Sequence, residues 1–136
     1  MIAIDTNVLV RLLVNDDEAQ GSRARAAFEV EDIWIGKTVL LETYWVLRSV
    51  YDFDDTAIAR AIEGALGLPR VQVEDPERVK LALADRIDIA DALHVASTPG
   101  DARAFATFDR DLARRGKGRL SPIEVLQVGS PTKVDR

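Results

Sequence analysis

Short apolar runs alternating with longer helical patterns limit this chain to a small set of folds. Residues 2–5, 32–35, 71–73 and 104–108 read as strands, and helical stretches separate each from the next. That alternation points to a parallel sheet covered by helices on both faces, an α/β fold. The first run, Met1-Ile2-Ala3-Ile4, stops at Asp5, and a helical pattern starts at once. In an open parallel sheet such a junction lies outside the carboxyl end of a strand, where these sheets bind ligands.

The helices follow in order. Residues 8–14 are apolar apart from Arg11. Asn15-Asp16-Asp17 is a turn, and either aspartate can cap a second helix over 17–30. Gly36 breaks the second strand. Thr38 opens a helix to about residue 51 that is apolar nearly all round, so burial is expected. Asp54 or Asp55 caps a helix over 56–66, ended by Gly67 with Pro69 following. A helix over 75–85 carries Pro76 in its first turn. Another, over 87–96, is capped by Asp88, and a short one covers 110–115. Residues 116–118 read as loop, and 120–128 as a last strand or short helix. One domain over 1–128 results, with a tail, 129–136, that lacks a hydrophobic pattern and is expected to be mobile.

Four acidic residues stand out. Asp5 ends the first strand, where it can cap the next helix, although Thr6 and Asn7 would serve equally. Glu42 interrupts an apolar helix; it is either a site carboxylate or on a narrow exposed edge with Ser49, because burying an unpaired carboxylate is costly. Asp91 lies between Ile87 and Val95 at helical spacing. It faces inward, or it is an ordinary first-turn acid favoured by the helix dipole, with Asp88 a weaker rival. Asp109 repeats the placement of Asp5 after the fourth strand and can equally cap residues 110–115. Thr107 can bond a site carboxylate or serve simply as a strand residue. Clustered carboxylates repel unless a cation is present, and hard oxygen ligands suit Mg²⁺ or Mn²⁺. Such an ion polarises a phosphoryl oxygen and acidifies a bound water, the chemistry of phosphodiester hydrolysis.

Composition narrows the alternatives. The 136 residues include no cysteine, which excludes disulfides, thiolate zinc and thiol catalysis, and fit a reducing cytoplasm. No signal peptide or membrane span is expected. The net charge of −5 argues against a generally basic coat, so any RNA contact needs a local patch of arginines. Arg11 and Arg48 interrupt apolar helices; Arg110, Arg114, Arg115, Lys117 and Arg119 form the densest basic cluster. Each is a candidate RNA contact or a solvated surface residue. The single histidine, His94, is expected to be a packed or hydrogen-bonded residue rather than a catalyst. Tyr44 and Trp45 suit a partner surface or the core. No glycine-rich phosphate loop occurs.

Ile4-Asp5-Thr6-Asn7, Leu41-Glu42, the run Ala90-Asp91-Ala92-Leu93-His94-Val95-Ala96 and Thr107-Phe108-Asp109-Arg110-Asp111-Leu112 occur in that order. With them the chain resembles the PIN-domain family, and within it the VapC-type ribonuclease toxins of toxin–antitoxin pairs. The resemblance implies a three-layer α/β/α sandwich around a mainly parallel sheet of about four or five strands. It implies Mg²⁺- or Mn²⁺-dependent RNA cleavage, a homodimer, and inhibition by a cognate antitoxin. Asp5, Glu42, Asp91 and Asp109 match the family's acidic metal-binding set, with Asp5 and Asp91 the most direct ligands. Thr6, Asn7 and Thr107 match its supporting polar residues. The alternatives are a non-catalytic PIN-like scaffold that binds protein or RNA, and an aspartate-based phosphohydrolase. The latter wants a second aspartate where this chain has Asn7.

Overall fold

The computed structural model describes residues 1–116, 120 and 123–129. Five strands and seven helices alternate among them: β1 (Ile2–Ala3), α1 (Thr6–Leu13), α2 (Glu18–Val30), β2 (Ile33–Ile35), α3 (Lys37–Ser49), α4 (Asp55–Leu66), β3 (Val71–Val73), α5 (Pro76–Ala84), α6 (Ile89–Ala96), β4 (Ala104–Thr107), α7 (Arg110–Gly116) and β5 (Glu124–Gln127). Every strand pairing is parallel, as the alternation predicts. The sheet is divided, however: β1-β2-β3 form one part and β4-β5 another. Ile33 pairs with both Ile2 and Val71, and Phe105 pairs with Val125. The last segment, open between strand and helix on the sequence, is a strand.

Aspartates set most helix starts. Asp5, Asp17, Asp54 and Asp88 each accept a hydrogen bond from a backbone N–H three residues on, satisfying a donor that the first turn leaves free. Helix α3 differs from the expectation. Its cap position is Gly36, not Thr38, and Glu74 Oε1 accepts from the Lys37 N–H at 3.0 Å, so the cap comes from the end of the neighbouring strand. The Lys37 side chain is buried and donates to Asp75 Oδ2 and the Ala96 carbonyl. Asp75 takes φ +52, a left-handed turn that Pro76 follows into α5.

The core gathers on β2, whose Ile33 and Ile35 are fully buried, and on facing stripes of α3, α4 and α6. Helix α3 is not buried all round. Leu40, Thr43, Tyr44 and Leu47 face the core, whereas Glu42, Trp45, Ser49 and the following Val50 lie on an exposed face. Positions three or four apart line one stripe of a helix, and only that stripe is buried, whatever the chemistry opposite. Gly116 belongs to α7 rather than to a loop. Lys117, Gly118, Arg119 and, apart from Gly129, the expected tail over 129–136 lie outside the described residues.

Candidate active site

The amino end of α6 is braced by three aspartates. Asp88 caps it through a bond from the Asp91 N–H (3.1 Å). Asp85, buried one turn earlier, accepts from the Asp88 N–H (3.1 Å) and from Arg115 Nε (3.0 Å), which joins α6 to α7. Asp55, buried at the start of α4, accepts from the Ile89 N–H (3.0 Å), the Tyr44 hydroxyl (2.8 Å) and Arg48 Nη1 (2.7 Å). Three helices are thereby fixed around the turn that carries Asp91.

Asp91 is half-buried. Burial first, then the like charge and hydrogen bonding of Asp88 and the charge of Asp109, hold its carboxyl above the ordinary carboxylate range; Arg115 opposes them. Loss of water and unscreened neighbours both disfavour a second negative charge. Asp91, Asp88 and Asp109 therefore share one electrostatic neighbourhood.

The other expected site residues fall on adjoining elements. Asp5 is exposed and caps α1 (Oδ1 to Val8 N, 3.0 Å), Glu42 is exposed on α3, and Asp109 is exposed and caps α7 through Asp111 and Leu112 N–H groups. Helix α1 packs on α3, α3 on α6, and α6 on α7. Thr107 Oγ1 accepts from the Asp109 N–H (3.0 Å), so it braces the turn and not a carboxylate. Thr6 is half-buried and Asn7 exposed in the first turn of α1.

Among the described residues, no three or more acidic or histidine side chains converge tightly enough to hold an ion. The donor chemistry nonetheless fits a hard divalent cation. The caps occupy only Oδ1 of Asp5, Asp88 and Asp109. Their second oxygens, and the carboxylates of Glu42 and Asp91, receive no bond from a backbone or basic donor among the described residues. Oxygen donors with mutual repulsion are what such an ion relieves.

The arginines sort differently from the expectation. Arg115 is paired with Asp85 and only 11% exposed, so it is an internal strut. Arg48 is committed to Asp55. Arg11 bonds Asp16, Gln20 and the Tyr51 hydroxyl, and the Tyr51 hydroxyl, with Asp16, holds its guanidinium more firmly protonated than usual. Arg114 pairs with Asp111 on the surface. Arg110 is exposed and forms no ion pair among the described residues. His94 is exposed rather than packed, because it sits on the outer side of a helix whose other face is fully buried. Tyr44 is core, with Trp45 edge-on to it and half exposed.

The sequence reading does not find Asp55 and Asp85 as organising residues. Asp55 reads as an interchangeable cap beside Asp54, and Asp85 as the end of a helix. A spacing of three between Asp85 and Asp88, and again to Asp91, was the one local signal: each carboxylate reaches the backbone or charge of the next.

No helix among the described residues is long and apolar enough to cross a membrane. No curated protein matches the chain. Residues 2–118 match the PIN domain, a fold that in general marks a nuclease using divalent metal ions on RNA or another nucleic acid. The match runs from the first strand to just beyond α7 and takes in Asp5, Glu42, Asp91 and Asp109: the chain belongs to the PIN-domain family.

Proposed function

We propose that this protein is an Mg²⁺- or Mn²⁺-dependent ribonuclease of the VapC toxin type, acting in the cytoplasm as a homodimer and restrained by a cognate antitoxin. The observation that carries the reading is the half-buried Asp91, set against the like charges of Asp88 and Asp109 within a PIN domain. Asp5 and Asp91 would hold the ion most directly, with Glu42 and Asp109 acting directly or through water and Asp88 as a neighbour of the set. When bound, such an ion supplies Lewis-acid polarisation of the phosphoryl group and acidifies water. The protein's own part is to hold the carboxylates in place: Asp85 and Asp55 brace α6, and Thr107 braces the turn of Asp109. Arg110 offers a cation to the RNA backbone. Residues 1–128 form the catalytic unit in this reading.

The separation of the carboxylates favours one rival, a PIN-like scaffold that binds RNA or protein without cutting it. RNA cleavage by the wild type, Asp5→Asn and Asp91→Asn, with Mn²⁺ and with EDTA, separates the two. The ribonuclease reading expects ion-dependent cleavage in the wild type alone, and a melting temperature that Mn²⁺ raises in the wild type alone. Cleavage that survives both substitutions, or no cleavage and no response to Mn²⁺, would sink it.

A further inference from the structure

Phe108 is 82% exposed, the most exposed of the large hydrophobic side chains among the described residues. The sequence pattern places it in the fourth strand, but β4 ends at Thr107 and the ring stands in the turn beyond. A single exposed hydrophobic residue is ordinary; its setting here is not. The next residue is the site carboxylate Asp109, and the one after is Arg110, exposed and without an ion pair among the described residues.

The turn is also firmly held. The Val128 N–H donates to the Thr107 carbonyl (2.7 Å), the Asp109 N–H donates to Thr107 Oγ1 (3.0 Å), and Asp109 Oδ1 accepts from Asp111 and Leu112. The backbone on both sides of Phe108 is thereby pinned, so the ring projects from a fixed base. The carboxylate of Asp109 directly beside it argues against the centre of a protein interface, where aspartate is depleted. A π face next to an exposed guanidinium with no ion pair among the described residues suits an unpaired nucleobase and its phosphate, because single-stranded bases are recognised by stacking on aromatic side chains.

We propose that Phe108 is a stacking platform for an unpaired RNA base next to the scissile phosphate, with Arg110 holding an adjoining phosphate. The proposal rests on the ribonuclease reading above. It gives the site a preference for single-stranded RNA, since paired bases hide their faces in the helix stack, and only weak base selectivity, since every base has a π face.

The test uses the full chain in EDTA, where binding is read without ion-dependent cleavage, and a single-stranded RNA oligonucleotide. Phe108→Ala weakens binding about tenfold, melts with the wild type because the ring is exposed, and raises KM more than it lowers kcat when Mn²⁺ is restored. Phe108→Trp recovers binding, and its added indole fluorescence is quenched by RNA beyond the background of Trp34 and Trp45. Wild-type affinity in Phe108→Ala, with no added quenching in Phe108→Trp, overturns the stacking role while leaving the ribonuclease reading intact. A changed oligomeric state of Phe108→Ala with unchanged RNA binding assigns the ring to a protein interface and overturns it too. A wild type that neither binds nor cuts RNA removes both readings together.

Discussion

Arg115 Nε donates to Asp85 Oδ1 at 3.0 Å, with 11% of the arginine side chain and 0% of the aspartate exposed. The other Asp85 oxygen accepts from the Asp88 N–H, so one carboxylate locks α7 to the start of α6. Arg115 Nη2 is buried without a hydrogen-bond partner among the described residues, which lowers the net worth of the pair. Removing one member is still severe, because the other charge is left buried and uncompensated. Arg115→Met is expected to cost about 3–5 kcal/mol in urea unfolding. Arg110→Ala should stay within about 0.5 kcal/mol and instead reduce the salt dependence of RNA binding by about one phosphate contact. Equal stability losses for the two arginines would contradict this division.

Tyr44 gives the fold an alkaline limit. Its ring is buried, and burial, followed by the hydrogen bond and charge of Asp55, raises the phenol well above the usual tyrosine value. The folded state therefore keeps a proton that the unfolded chain releases near pH 10. The stability this represents is fully present below that pH and is lost as pH climbs beyond it. Tyr44→Phe should cost about 1 kcal/mol at neutral pH and flatten the fall in melting temperature above pH 10. Parallel alkaline slopes for the two proteins would show that another group sets the limit.

Asp91 shifts in the same direction, but in the acid range. Its folded carboxyl holds a proton more tightly than the unfolded one. As pH rises through the ordinary carboxylate range the unfolded chain ionises first, so ionised Asp91 works against folding at neutral pH and has no effect in strong acid. In EDTA, Asp91→Asn should melt higher than the wild type at pH 7, with the gain vanishing near pH 3. A lower melting point at pH 7 would mean that the carboxylate chiefly serves the helix dipole.

How much of this was readable in the residues depended on distance along the chain. Strands at Ile33–Ile35 and Val71–Val73, and helix starts at Asp5, Asp17 and Asp88, were legible because apolar period and capping chemistry are local. The cap of α3 was not: Glu74 lies 37 positions from Lys37. Nor was the burial of Arg115, whose partner is 30 positions away. The division of the sheet belongs to the same class, since pairing order follows tertiary packing. At the candidate site, the ends of β1 and β4 set Asp5 and Asp109 at the starts of α1 and α7, where both serve as caps. That Asp109 also neighbours Asp91 depended on how α6 and α7 dock, which no local pattern contains.

That docking has a narrow tolerance at Gly116. A Cβ there would stand 2.5 Å from Val125 Cγ2 and 3.0 Å from Val125 Cβ. Val125 is buried on β5, so the methyl group has nowhere to move without separating α7 from the strand. The need for glycine is therefore close approach and not a left-handed backbone. Gly116→Ala should cost about 1–3 kcal/mol as overpacking. Val125→Ala removes the nearer of the two contacts, so the double variant should lose less than the sum of the single losses. Because α7 carries Arg115 and is capped by Asp109, the same displacement should loosen the Asp85 pair and weaken any response to Mn²⁺. Strict additivity of the two substitutions in urea unfolding would mean that α7 and β5 do not meet at this point.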